Sequence, residues 1–247
     1  MREPGTLPPM LEDEAVERVL VITAHPDDVD FGAAGTVACW TDKGIEVAYC
    51  IVTDGDAGGF DPSVPRHEIG GIRRREQTAA AKQVGVHDLC FLGYPDGLLE
   101  PSLQLRKDLS RVIRRVRPQR VLTQSPVRNL NRIYASHPDH LAAGEAALCA
   151  VYPDARNPFT FTELLAEGLE AWSVPEVWLM GGPNADRVVD VTDQFDRKLQ
   201  ALLCHESQHP NPDGMQDRVR AWMAATAQEY ELGEGRLAEA FQVVSTA

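Results

Sequence analysis

Two short segments carry residues whose types and spacing suit metal chemistry. In "AHPDD" (24–28) one imidazole, His25, is followed by the adjacent carboxylates Asp27 and Asp28, and in "SHPDH" (136–140) His137 and His140 flank Asp139. His25 and Asp28 are three apart in a tight turn, so a ring nitrogen and a carboxylate oxygen can reach one ion. His137 and His140 have the same spacing and fall on one side of a first helical turn. Three protein ligands with an open fourth position are the catalytic form of a zinc site; His25, Asp28 and His140 make such a set. Asp27 and His137 are then left beside the ion without holding it. Zinc brings the pKa of water at its open position toward ~7. Asp27 can accept that water's proton, His137 can stabilise an oxyanion as an imidazolium, and Asp139 can orient His137.

Each segment also has a plainer reading. Proline followed by acidic residues starts many helices, because carboxylates complement the helix dipole. Ser136-x-x-Asp139 reads as a capping box. A capping box needs no histidines, however, and two His-Pro-Asp turns at strand-to-helix junctions favour the metal reading when taken together.

The elements that would position these turns follow from hydrophobic periodicity. Short runs rich in Val, Ile and Leu predict strands over 18–24, 46–53, 88–92, 120–124, 176–180 and 187–191. Helical patterns fall over 32–43, about 71–85, 102–117, 138–150, 193–206 and near 215–230. The alternation predicts an α/β fold: a mostly parallel sheet with helices on both faces. In such sheets ligands gather outside the carboxyl ends of the strands, where "AHPDD", "TDGDAGG", "GYPDG" and "SPVRNLNRIYASHPDH" all lie.

Other chemistries lack a motif. The turn after the first strand carries His25, Asp27 and Asp28 where a dinucleotide fingerprint needs glycines, and neither a P-loop nor a G-x-S-x-G elbow occurs. A two-metal phosphoesterase would need a second cluster of ligands at suitable spacing. The formal net charge of −13 repels nucleic-acid backbone and anionic membrane. "GIRRREQ" could bind an anion, whereas the arginines of "RVIRRVRPQR" are expected on a solvated helix face. His205 and His209 read as late-helix and turn residues, outside the metal set; Asp30, Asp54 and Asp56 read as turn residues.

A chain of 247 residues, 43% hydrophobic, suits one large domain, here 17–247, after a flexible tail over 1–16. Its opening residues lack the pattern of a signal peptide and no run reaches membrane-span length, which predicts a cytoplasmic protein. The five cysteines lack C-x-x-C spacing and are expected as reduced thiols.

Taken together, "AHPDDVDFG" and the distant "HPDH" resemble the LmbE/PIG-L family of zinc-dependent N-deacetylases. "GIRRREQTAAAKQVGV" is similar to that family's R-x-x-E helix, "FLGYPDGLL" to its L-G-Y-x-D-G loop, and "VDVTDQFDRKLQALLCHESQ" to its C-terminal helix ending in S-Q. The resemblance implies a single Rossmann-like three-layer domain and Zn2+ on His25, Asp28 and His140. It also implies Asp27 as general base, with His137 as its electrostatic or acid partner. It implies removal of acetyl from an N-acetylglucosamine-type molecule, and in one branch cleavage of mycothiol-type S-conjugates by the same centre. Homo-oligomers are common among the relatives. Arg73 and Asp96 correspond to positions that face the sugar, although Arg73 paired with Glu76, or Asp96 in a simple turn, would look the same in sequence. A metal-dependent binding protein without catalysis is a further reading, set aside because Asp27 and His137 are both present. Residues 125–135 and 152–172 match no family motif and are expected to wall the pocket.

Overall fold

The fold is seen in a computed structural model, described over residues 11–209 and 211–246. The first half runs β1 (Arg18–Thr23), α1 (Asp28–Gly32), α2 (Ala34–Asp42), β2 (Glu46–Thr53), α3 (Arg66–Gln83), β3 (Asp88–Tyr94), α4 (Leu103–Val116) and β4 (Arg120–Gln124). The second half adds α5 (Pro138–Cys149), α6 (Glu163–Ala166), β5 (Glu176–Met180), β6 (Arg187–Asp190), α7 (Phe195–Leu203), α8 (Met215–Glu229) and β7 (Ala238–Ser245).

The strands form one sheet in the order β3-β2-β1-β4-β5-β7-β6, with β1 to β5 parallel and β7 antiparallel to both its neighbours. The β1 sequence explains its central place. Val19 and Val21 enter the apolar layer containing Val37 and Trp40 of α2, while Leu20 and Ile22 enter the opposite layer, with Leu109 of α4 and Ala143 of α5. A strand covered on both faces must be apolar throughout. Each such side chain contributes roughly 1.5–3 kcal/mol on burial.

The predicted strands and helices recur with shifted ends; the short α1 and α6 and the strand β7 are not revealed by the periodicity. The apolar run of β7 is broken by Glu239, whose carboxylate accepts from the Gly35 and Thr36 backbone N–H groups at 3.0 and 2.7 Å and pairs with buried Lys198 at 2.7 Å. A helix start that is buried needs such an acceptor.

Three further expectations change. Residues 1–10 lie outside the described residues, but 11–16 are packed instead of flexible: the Leu11 N–H donates to Glu176 at 2.9 Å, Asp13 pairs with Arg120 at 2.8 Å and Val16 is buried. Arg114 and Arg120 do not sit on a solvated face. Both are buried, Arg120 on Glu176 at 2.7 Å and Arg114 on the carbonyls of Asp154, Ala155, Asn157 and Thr160. The last contacts tie 152–172 to α4, and Trp172 Nε1 donates to Pro118 O at 2.7 Å, just before β4 begins. That end of the segment therefore lies at the amino ends of the strands, opposite the His-Pro-Asp turns at their carboxyl ends. The five cysteines are all unpaired, and no helix among the described residues is long and apolar enough to cross a membrane.

Candidate metal centre

Strand order reverses between β1 and β4: β1 leads to β2 on one side, and β4 leads to β5 on the other. Adjacent loops diverge at such a point and leave a crevice at the carboxyl ends. The turn after β1 carries His25 to Asp28, and the loop after β4 leads to His137 and His140 on α5. Gly144 lets α5 approach closely, since a Cβ there would collide with the Gln124 carbonyl.

Two ring nitrogens and a carboxylate converge in the crevice. His25 Nδ1 lies 3.3 Å from His140 Nε2 and 3.4 Å from Asp28 Oδ2, while Asp28 Oδ1 is 2.9 Å from His140 Nε2. Ligands about 2.1 Å from a tetrahedral ion stand about 3.4 Å apart, so the spacing suits zinc. The hydrogen bonds also engage the atoms that face away from the crevice. His140 Nδ1 lies 3.2 Å from the Ala135 carbonyl, which fixes its proton there and frees Nε2. His25 Nε2 stands 3.0 Å from Asp96 Oδ1 and 3.3 Å from Asp139 Oδ2, which frees Nδ1. Asp28 Oδ2 accepts from the His25 N–H at 2.6 Å and from Gln124 Nε2 at 2.8 Å, leaving Oδ1 facing the histidines. The donor set fits a resident divalent cation.

The electrostatics agree. Burial disfavours charge on His25, but the carboxylates of Asp28, Asp139 and Asp96 override it and push its pKa up to about 12. Burial likewise opposes ionisation of Asp28, yet His140 and His25 hold its carboxyl well below the usual range. Negative charge therefore surrounds the imidazoles where a cation would sit.

Asp27 occupies a separate position. Its backbone has φ 92°, a left-handed conformation unusual for a residue with a Cβ, costing on the order of 1–3 kcal/mol. Its neighbours pin it there. The Asp27 N–H donates to Gln77 Oε1 at 2.7 Å, and Arg73 Nη2 donates to the Pro26 carbonyl at 2.5 Å and to Asp27 Oδ2 at 3.0 Å. Arg73 Nη1 also donates to the Gly55 carbonyl at 3.0 Å, and a Cβ on Gly55, itself at φ 62°, would strike the guanidinium. Burial pushes the Asp27 carboxyl up to about 6, against the pull of Arg73 and with the help of Asp28.

His137 caps α5. Its Nδ1 accepts from the Asp139 N–H at 3.2 Å, so the neutral ring carries its proton on Nε2. Partial desolvation, then His25 and His140, lower its pKa, which favours the neutral ring over the expected imidazolium. One ring nitrogen each from His25, His137 and His140 lies within 4.8 Å of the others.

Two assignments move. The Asp139 carboxylate does not orient His137 or complete a capping box with Ser136. It accepts from the Gly97 and Leu99 N–H groups at 2.7 and 3.3 Å and faces His25, while Ser136 Oγ accepts from the Asn129 N–H. Arg73 and Asp96, expected to face a sugar, are 4% and 8% exposed and have partners within the protein: Arg73 donates to Asp27, Pro26 and Gly55, and Asp96 meets His25 and the Ala57 N–H. The R-x-x-E and S-Q motifs meet each other: Glu76 accepts from Ser207 N–H and Oγ–H, both at 2.7 Å. Asp54 and Asp56 pair with Arg74 and Arg66 at 2.6 and 2.7 Å. Sequence reasoning missed Gln77 and Gln124. Each left a signal: Gln77 follows Arg73 by one helical turn on a buried face, and Gln124 ends an apolar strand as His25 follows one.

The chain is similar to known de-N-acetylases. The family profile described as "PIG-L: GlcNAc-PI de-N-acetylase" matches residues 20–151. The chain is 36% identical over 195 residues to the diacetylchitobiose deacetylase of Thermococcus kodakarensis, covering 79% of this chain and 71% of that protein. It is 34% identical over 197 residues to the probable N-acetyl-alpha-D-glucosaminyl L-malate deacetylase 2 of Bacillus cereus, covering 77% and 83% respectively. The structure of N,N'-diacetylchitobiose deacetylase from Pyrococcus horikoshii superposes with a TM-score of 0.86 at 31% identity, over 94% of this chain and 85% of the other.

Proposed function

The chain belongs to the PIG-L family of de-N-acetylases, and from that premise we propose that it removes the acetyl group from an N-acetylglucosamine-type sugar with a zinc ion held by His25, Asp28 and His140. The observation that carries this reading is the convergence of His25 Nδ1, His140 Nε2 and the Asp28 carboxylate, with the other ring nitrogen of each histidine engaged by a carboxylate or a carbonyl. When bound, the ion supplies Lewis acidity, which acidifies water and polarises a carbonyl.

The chain's own residues then divide the work. Asp27, fixed by Arg73 and Gln77, takes the proton from water as its oxygen adds to the amide carbon. His137 donates its Nε2–H to the carbonyl oxygen as negative charge develops there. Asp27 next gives its proton to the departing nitrogen, so that amide and water become acetate and a free amine. Asp139 and Asp96 hold the His25 ring in the orientation that directs Nδ1 into the crevice.

Cleavage of a thiol S-conjugate is not favoured, because the relatives described above are named as deacetylases of amino sugars. Zinc-loaded protein incubated with N-acetylglucosaminides of varied aglycone tests the proposal. Stoichiometric acetate and amine are expected; no amine from any of them would contradict it.

A further inference from the structure

A chain of buried polar groups leads from Asp27 into the core without touching the three proposed ligands. The Asp27 N–H donates to Gln77 Oε1 at 2.7 Å, Gln77 Nε2 donates to Asp30 Oδ2 at 2.9 Å, and His205 Nε2 stands 2.8 Å from that same oxygen. Gln77, Asp30 and His205 are each 0% exposed. They come from α3, from α1 and from the residues after α7, so three distant segments meet beneath one backbone N–H.

Each link decides the next. A carboxamide can sit either way round, and only one orientation offers oxygen to the Asp27 N–H. Asp30 selects it, because a carboxylate accepts and never donates. Asp30 in turn needs holding, since a carboxyl group rotates freely about its terminal torsion. Its Oδ1 has no hydrogen-bond partner among the described residues, so Gln77 and His205 are what fix the group. Of the two, His205 is the one that does not itself bond to Asp27: its backbone N–H donates to the Leu202 carbonyl at 3.2 Å, and its Nδ1 has no hydrogen-bond partner among the described residues.

We propose that His205 is a positioning residue for Asp27: through Asp30 it sets the Gln77 amide that holds Asp27 in its left-handed conformation. This rests on the reading of Asp27 as the base, but the geometric claim can be measured without turnover. His205 touches neither the proposed ligands nor the open crevice.

The test uses the full-length zinc-loaded protein with His205→Leu, which cannot donate, and His205→Gln, whose amide can. His205→Leu should lower kcat by about tenfold or more with KM and metal content unchanged, because a small displacement of a reacting group is costly. His205→Gln should return to within about threefold of the unaltered protein, and His205→Leu should cost less than about twofold once Gln77→Leu is present. Amide exchange at Asp27 should quicken by about tenfold in His205→Leu while Val21 and Ile22 in β1 keep their protection. Should the leucine variant not fold, His205→Asn, whose shorter amide falls short of Asp30, replaces it with the same expectations. Unchanged exchange at Asp27, or losses in kcat that simply add to those of Gln77→Leu, would overturn the proposal. If the unaltered protein deacetylates nothing, the deacetylase reading fails and the exchange result alone decides the positioning role.

Discussion

The Arg73 guanidinium stands 3.0 Å from the Asp27 carboxylate and holds the preceding carbonyl, that of Pro26, with the same nitrogen. Arg73 thus fixes both the charge and the direction of the proposed base.

The sign of the pH effect follows. Burial raises the Asp27 carboxyl to about 6, and Arg73 pulls it down from a higher value. The basic form is present above that pH and lost as pH falls through it. Activity should fall on the acid side, and Arg73→Leu should move that limb upward by about one unit or more. Arg73→Lys should not fully restore it, since one ammonium cannot match the fork that reaches Gly55, Pro26 and Asp27. The pH profile of kcat/KM measures both.

Asp139 faces His25, and this placement predicts a metal phenotype for a residue that holds no metal. Asp139→Ala should weaken zinc binding by about 10–100-fold while leaving His137 in place. Competition against a chelator of known affinity measures the loss; unaltered affinity would contradict the role.

Metal uptake should release protons. With its pKa pushed up to about 12, His25 is an imidazolium in the metal-free protein at neutral pH, and its Nδ1 must give up a proton to become a ligand. Affinity should therefore rise with pH. Calorimetric titrations in buffers of different ionisation enthalpy should show about one proton or more released per ion; none released would contradict the assignment of His25.

His137 is proposed as a donor to the developing oxyanion and not as a ligand. His137→Ala should keep its zinc and lose about 10²–10³ in kcat, with little change in KM. Loss of the ion from this variant would instead make His137 a ligand.

Much of the site is legible in the sequence because its chemistry is local: His25, Asp27 and Asp28 share one turn, and His137 and His140 another. The sheet is legible for a similar reason, since strands buried on both faces must be continuous apolar runs. What the sequence hides is which distant group each atom meets. Nothing in "SHPDH" says that Asp139 reaches back past its own histidines to His25, 114 residues away. Arg73 reads equally well as a sugar contact or a helix-face ion pair until its burial against Asp27 is seen. His205 reads as a helix-end histidine because its partner, Asp30, is 175 residues away. β7 is hidden because Glu239, placed to cap α2, interrupts its apolar run.

The division of labour between the adjacent aspartates is the centre of the account, with Asp28 holding the ion and Asp27 moving the proton. Asp27→Asn tests it most directly, assayed beside the unaltered protein for zinc content and for amine release from N-acetylglucosaminides. The account predicts about one zinc per chain in both and a loss of turnover of about 10²–10⁴ in the variant. Turnover at the unaltered rate by zinc-loaded Asp27→Asn would contradict it.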